Sequence, residues 1–312
     1  MVTVLIATHN GADTLPQMLE SLCRLATGEL DWRVVAVDNA STDDTPRILR
    51  SFSDRLPLTI LEEKRRGKNH AMNCGLEAVR SDLVFCIDDD VVLSPGWMLA
   101  LKRAFDAHPD FDIVCGPVEP LWPDNVPPWL LEVIPGAPAY TITPPGIEEG
   151  PCSPRTVFGP NMSFRMAIYR TGHRFNPVVG PDGSRFYAMG SETEFMMRVH
   201  ATGHKAWFCR DARVQHIIMP IQLTRRWLWT RAMAFGRGDV QKVRRAKPLV
   251  DDAPRVLGIP RYALPLIARH ALGTCAATLR GDMRAQYRAL WKCGYTCGSA
   301  FEGWRESRGV VP

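Results

Sequence analysis

Four short runs early in the chain are almost wholly apolar: "VTVLIAT" from Val2, "WRVVAVD" from Trp32, "LTILEE" from Leu58 and "LVFCID" from Leu83. Between them, apolar residues recur at helical spacing over residues 12–25, 44–53, 69–80 and 95–107. Strands apolar on both faces and separated by helices predict an α/β fold, with a largely parallel sheet covered on each side. Ligands of such sheets bind at the carboxyl ends of the strands. The polar residues collect there: Thr8, His9 and Asn10 after the first run, Asp38 and Asn39 after the second, Lys64 to Lys68 after the third, and Asp88, Asp89 and Asp90 after the fourth.

Three adjacent carboxylates at the end of a buried strand repel one another, and the repulsion calls for a cation. The other reading is an acidic turn that starts a helix at Ser94 and Pro95. No G-x-G-x-x-G follows any strand and no phosphate-binding P-loop is present, which sets aside the usual dinucleotide and P-loop ligands of this architecture. The loops instead offer Thr8, Asn10 and Asp38 for a base and ribose, and Lys68, with Arg65 or Arg66, for phosphate. Asp38 either accepts from a base N–H or caps the next helix. A nucleoside diphosphate suits all four loops together. Mg²⁺ or Mn²⁺ suits the aspartates, because hard cations take oxygen ligands and keep positions open for phosphate and water.

At 312 residues and 46% hydrophobic composition the chain can bury a substantial core. Its nine cysteines are scattered and form no C-x-x-C pair, which suits free thiols in a reducing, cytoplasmic setting. "MVTVLIATHN" reads as a first strand rather than a secretion signal. The net charge of +5 conceals an asymmetry, since residues 225–312 carry a balance of +11 and the preceding 224 carry −6. The basic surplus opens in "LTRRWLWTRAMAFGRGDVQKVRRAK" and continues through helix-like segments near 261–280 and 282–301. This region either meets an anionic membrane surface or packs amphipathic helices on a core with solvated arginines outward. "YALPLIARHALGTCAATL" is interrupted by Arg269 and His270, which argues against a spanning helix. The expected organisation is a catalytic domain over 1–220 and a basic helical region over 221–312. The expected location is cytoplasmic, with peripheral attachment to the inner face of the membrane.

The ordered motifs "VLIATHNGADTLPQMLESL", "VVAVDNASTDDT", "RGKNHAMNCGLEAV", "CIDDDVVLSPGW", "FGPNMSFR" and "GSETEFMMRVHATGHK" resemble glycosyltransferase family 2 enzymes with a GT-A fold, over roughly residues 1–235. The resemblance implies that Asp38 reads the nucleotide base. It also implies that the aspartate run is a D-x-D motif, with Asp88 and Asp89 toward the nucleotide, Asp88 and Asp90 toward the metal, and Asp90 the direct ligand. His216 in "ARVQHIIMP" completes the metal site in some relatives. Relatives carry Gly-Glu-Asp-Thr-Glu where this chain has "GSETE", which implies Glu192 as the general base. Glu192 and Glu194, two residues apart on a helix, point in roughly opposite directions, so only one faces a cleft. Asn161 lies in the family's acceptor-side strand, and Trp122 and Trp129 offer faces for sugar stacking.

The resulting expectation is an inverting, metal-dependent transfer of one sugar from a nucleoside-diphosphate donor to a glycan or lipid-linked glycan. A nucleotidyltransferase is the enzyme rival, although its Gly-rich phosphate loop is missing. A nucleic-acid-binding protein using residues 225–247 is the rival from another class, and it leaves the aspartates and Glu192 without a role. No nucleic-acid partner is therefore expected. Oligomeric state, donor base, sugar and linkage stay open.

Overall fold

The structure, a computed structural model, describes residues 1–184, 187–246, 254–256 and 259–309. The chain begins β1 (Val2–Thr8), α1 (Leu15–Cys23), β2 (Trp32–Asp38), α2 (Thr45–Ser51), β3 (Leu58–Glu62), α3 (Lys68–Ala78) and β4 (Leu83–Asp88). It continues through β5 (Val91–Leu93), α4 (Trp97–Ala107), β6 (Ile113–Cys115), β7 (Val118–Leu121), α5 (Leu130–Val133), α6 (Gly136–Tyr140), β8 (Gly150–Cys152) and β9 (Met162–Arg165). Then come α7 (Ala167–Arg170), α8 (Ser191–Ala201), β10 (Ala206–Phe208), β11 (Val214–Ile217) and α9 (Arg225–Ala246). A two-strand ribbon of β12 (Arg255–Val256) and β13 (Ile259–Pro260) precedes α10 (Ala263–Leu279) and α11 (Met283–Ser307).

The main sheet has the order β3-β2-β1-β4-β9-β6-β10-β8. β1 runs parallel to β2, with Thr8 opposite Asp38, and parallel to β4, with Ala7 opposite Asp88. The chain therefore moves outward from β1 to β3 and returns on the other side as β4. That reversal opens a crevice at the strand ends between β1 and β4. The four apolar runs are the four strands expected. β9 pairs antiparallel with both β4 and β6, and β8 antiparallel with β10, so the sheet is mixed. A second sheet, β5-β11-β7, sets His216 opposite Val91.

Alternation explains why the strands read as unbroken apolar runs. Val4 and Ile6 of β1 and Phe85 and Ile87 of β4 pack with Leu15 and Met18 of α1 and Trp97 and Leu101 of α4. Their neighbours Leu5, Val84 and Cys86 face the opposite way, onto Met72 and Leu76 of α3 and Phe195 and Met196 of α8. Each fully buried side chain of this kind contributes about 1.5–3 kcal/mol. With both faces covered, neither parity of the strand is left for polar residues.

The chain forms two compact units. The first comprises Met1–Leu121, Thr141–Pro177 and Ser191–Ile217; the second comprises Trp122–Tyr140, Val178–Gly190 and the chain from Ile218. Segments 122–140 and 178–190, placed by the sequence in the domain ending at 220, thus pack with the C-terminal helices. Within the second unit α11 packs against both α9 and α10. α9 does not turn all its basic residues outward: Arg231 donates to the carbonyls of Pro138 and Ala139 and to the Tyr187 hydroxyl. Arg237 lies 2.7 Å from the fully buried Glu302, which also accepts from Gln241. An unpaired buried Glu302 would be costly, and this pairing draws Arg237 into the interior. The side chains of 244–247, the end of the basic stretch, lie outside the described residues. No helix among the described residues is long and apolar enough to cross a membrane.

Candidate functional site

At the crevice, Lys68 opens α3, and its ammonium meets two carboxylates from distant parts of the chain. Nζ lies 2.6 Å from Asp88 Oδ1, at the end of β4, and 2.7 Å from Glu192 Oε1, in the first turn of α8. The loop that delivers Lys68 is tied to the strand ends by Asn39. The Asn39 amide donates to the carbonyls of Glu63 and Arg65 and accepts from the Gly67 amide. Glu63 in turn binds the Arg65 guanidinium and backbone, which holds its carboxyl at about 2. Arg65 is thereby committed to Glu63.

Charge and burial compete across this trio. Burial would raise Glu192, but Lys68 outweighs it and holds the carboxyl at about 2. At Asp88 burial prevails over Lys68, and the neighbouring Asp90 and Glu192 push the same way, so its carboxyl is raised. Lys68 is raised despite burial, because both carboxylates favour its charge. Glu192 also packs against Gly159: a Cβ there would lie 2.7 Å from Glu192 Oε1. Glycine at 159 leaves the carboxylate its room.

The other two aspartates diverge. Asp89 turns back toward β1, where its Oδ2 accepts a hydrogen bond from the Thr8 hydroxyl. A Cβ on Gly11 would fall 2.5 Å from the same oxygen. Burial and the charge of Asp90 raise Asp89 to about 7. Asp90 Oδ2 lies 3.0 Å from His216 Nε2, while its buried Oδ1 has no hydrogen-bond partner among the described residues. Burial pushes Asp90 up, but the charge and hydrogen bond of His216 prevail and lower it. Among the described residues no three His, Cys, Asp or Glu side chains converge as a ready-made metal cage. A carboxylate oxygen left unpartnered among oxygen-rich neighbours nevertheless fits a hard cation, which takes one or two carboxylates and draws its remaining ligands from phosphate and water.

The positions expected to touch a nucleotide lie around the ends of β1 and β2. Asp38 is buried, and its Oδ1 accepts from the Ser41 amide at 3.2 Å. The first-turn amide of α2 at Thr45 goes to Asp43, not to Asp38. Asn10, in the left-handed region at φ 53°, accepts from the Thr42 amide and joins the two loops. The Thr8 hydroxyl is engaged with Asp89 rather than open to a ligand.

The acceptor-side positions look different. Asn161 is fully buried, with Trp97 Nε1 donating to its carbonyl and its amide donating to Pro117 and Ala212 oxygens. It knits the fold together and presents no surface to an acceptor. Trp122 and Trp129 lie in the second unit, edge-to-face with Tyr140 and Tyr287 respectively. Glu194 forks onto Arg198 one turn along α8, with its oxygens at 2.7 and 3.1 Å, and so serves the helix. Sequence reasoning named Asn39 only as one of the polar residues at the strand ends, and passed over Glu63 and Gly159. The only local signal for Gly159 was a glycine placed just before Pro160, at the entry to a buried strand.

The sequence matches the family described as Glycosyl transferase family 2 over residues 3–170, more than half of the chain. Succinoglycan biosynthesis protein ExoO of Rhizobium meliloti is 31% identical over 106 residues, which are 34% of this chain and 30% of that protein. The PGL/p-HBAD biosynthesis glycosyltransferase of Mycobacterium bovis is 32% identical over 121 residues, 38% of this chain and 46% of that one. The chain thus spans less than half the length of these relatives. Among solved structures, the mannosyltransferase PcManGT from Pyrobaculum calidifontis, in complex with GDP-Man and Mn2+, matches with a TM-score of 0.62 at 20% identity, covering 96% of this chain and 86% of that one. S. aureus TarS 1-349 matches with a TM-score of 0.56 at 15% identity, covering 99% and 91%. At these identities the likeness is one of fold, and it bears out the GT-A type of α/β arrangement expected from the sequence.

Proposed function

Because the chain belongs to glycosyltransferase family 2, we propose that it transfers one sugar from a nucleoside-diphosphate donor to a glycan or lipid-linked glycan, in a metal-dependent reaction that inverts the anomeric centre. One observation carries this reading: the Lys68 ammonium contacts both Asp88 of the aspartate run and Glu192 of α8, at the crevice where the strand order reverses.

The donor's diphosphate competes with the two carboxylates for the Lys68 ammonium. Lys68 then holds negative charge that grows as the sugar departs, and Glu192 is left free to face the acceptor. Glu192 takes the proton of the acceptor hydroxyl while that oxygen attacks the anomeric carbon. The bond from that carbon to the diphosphate oxygen breaks, and its electron pair leaves with the phosphate. A single attack from the face opposite the leaving group inverts the centre. Asp88 and Asp90, with His216 beside them, would hold Mg²⁺ or Mn²⁺, which when bound neutralises charge on the departing diphosphate. Asp38 and Asn10 would position the base and ribose. A relative named for succinoglycan biosynthesis supports a glycan acceptor.

Thermal denaturation with UDP-, GDP- and dTDP-sugars, each with and without Mg²⁺ or Mn²⁺, tests the reading. A donor that binds only the folded protein raises its midpoint, and here one nucleotide class should do so only with the cation. If no nucleotide sugar shifts the midpoint under any ion condition, the reading is wrong.

A further inference from the structure

One face of α10, in the second unit, is apolar and exposed. At 100° per residue, Leu264, Ala268, Leu272, Cys275 and Leu279 fall within an arc of about 80°. Every one of them is exposed. Leu264 is 41% exposed, Leu272 70% and Leu279 89%. Ala263 and Ala277, on the opposite side, are buried. The inward side thus carries two buried alanines with the half-buried Leu266 and Ile267, while three leucines face out. Tyr262 and Met283, just before and after the helix, extend the exposed apolar surface.

Charge says what covers this face. Arg269 and Arg280 fall on one flank of the arc, with Arg261 just before the helix, and none of the three forms an ion pair among the described residues. Asp282 is the one acidic residue between Arg261 and Arg284. A second copy laid against the face would bring like charges together. An anionic bilayer surface neutralises the arginines while its acyl region takes the leucines. The helix is too short and too basic to cross, which leaves a position in the plane of the interface.

We propose that the outward face of α10 is a membrane-docking surface, seating the second unit on anionic lipid with Leu264, Leu272 and Leu279 in the interface and Arg269 and Arg280 at the headgroups. This goes beyond the proposed reaction and does not depend on it. It also moves membrane contact away from the basic stretch of α9, two of whose arginines the fold uses internally.

Co-sedimentation of the full chain with phosphatidylcholine vesicles, with or without phosphatidylglycerol, tests the docking. The chain should sediment with the anionic vesicles, release as salt rises, and remain in solution with the neutral ones. The double variant Leu272→Glu, Leu279→Glu should lose vesicle binding, and Arg269→Glu, Arg280→Glu should weaken it by about 30-fold or more. Both variants should keep the wild-type unfolding midpoint, which shows that the substituted face is not part of the core. Equal binding to both vesicle types, or undiminished binding by the leucine variant, overturns the proposal. A concentration-dependent dimer that the leucine variant abolishes overturns it in favour of self-association. Donor stabilisation measured on the same samples reports separately on the proposed reaction.

Discussion

Glu192 and Gly159 are 33 positions apart in sequence, yet the carboxylate of one occupies the space that a side chain on the other would need, 2.7 Å from an added Cβ. The proposed base is therefore aimed by an absence of atoms as well as by its ion pair with Lys68. Replacing Gly159 with Ala should push the carboxylate aside while the surrounding core keeps its packing. Turnover should fall by about 10²-fold, the cost of misplacing a reacting group by an ångström or so. Donor dissociation constants and the thermal midpoint should change little. Kinetics and calorimetry on one preparation check this, and a variant with unaltered turnover would remove Glu192 from the chemistry.

Glu192→Gln removes the proposed base without removing volume. Turnover should drop by about 10² to 10⁴, while donor affinity holds or rises because Lys68 loses a competing partner. Glu194→Gln should leave turnover nearly intact and instead lower the thermal midpoint, since Arg198 loses the carboxylate it forks onto. Should Glu194→Gln prove the dead variant, the two roles are reversed.

Asp90→Asn keeps the shape of the side chain and deletes its charge. Its buried Oδ1 has no partner among the described residues, so the substitution should abolish cation-dependent donor binding and transfer while the circular dichroism spectrum stays native. Titrating Mn²⁺ against the thermal midpoint checks it. Normal cation dependence in the variant would return the aspartates to a purely structural turn.

Glu63 supplies a pH signature for the loop that carries Lys68. Its folded carboxyl sits at about 2, below the ordinary unfolded value of about 4.3. The stabilisation is therefore complete above about pH 4.3 and disappears as pH falls through about 2. Arg65 is largely exposed, so screening limits the contribution to roughly 1 kcal/mol. Glu63→Gln should lower the urea midpoint at pH 7, and the gap to the parent protein should narrow at pH 3. A gap that is constant with pH would mean that packing, not charge, is what Glu63 provides.

The first half of the sheet was legible because β1, β2 and β4 are buried on both faces and stand out as apolar runs. β6, β8 and β10 were not, since strands of three residues show no period that distinguishes them from loop, and β9 was marked only by its motif. The aspartate run, Lys68 and Glu192 each carried a local signal, but their meeting on one ammonium is a product of topology, spanning 124 positions. Asn161 misled for the opposite reason. An amide in a motif reads the same whether it faces a ligand or bridges Trp97, Pro117 and Ala212, and only burial tells the two apart. In α9 the alternation of bases and aromatics resembled a surface helix because Glu302, which draws Arg237 inward, lies 65 positions away.

Every aspartate of the run already has a companion within the chain: Lys68 for Asp88, Thr8 for Asp89 and His216 for Asp90. Each carboxylate is thus positioned at the moment of folding by residues the gene itself encodes, while the remaining repulsion shows in the raised Asp88 and Asp89. Chain maturation and ion loading become separate events. Under the proposed metal dependence, a newly made molecule would fold without the ion and wait intact, so that ion supply would set activity without setting abundance.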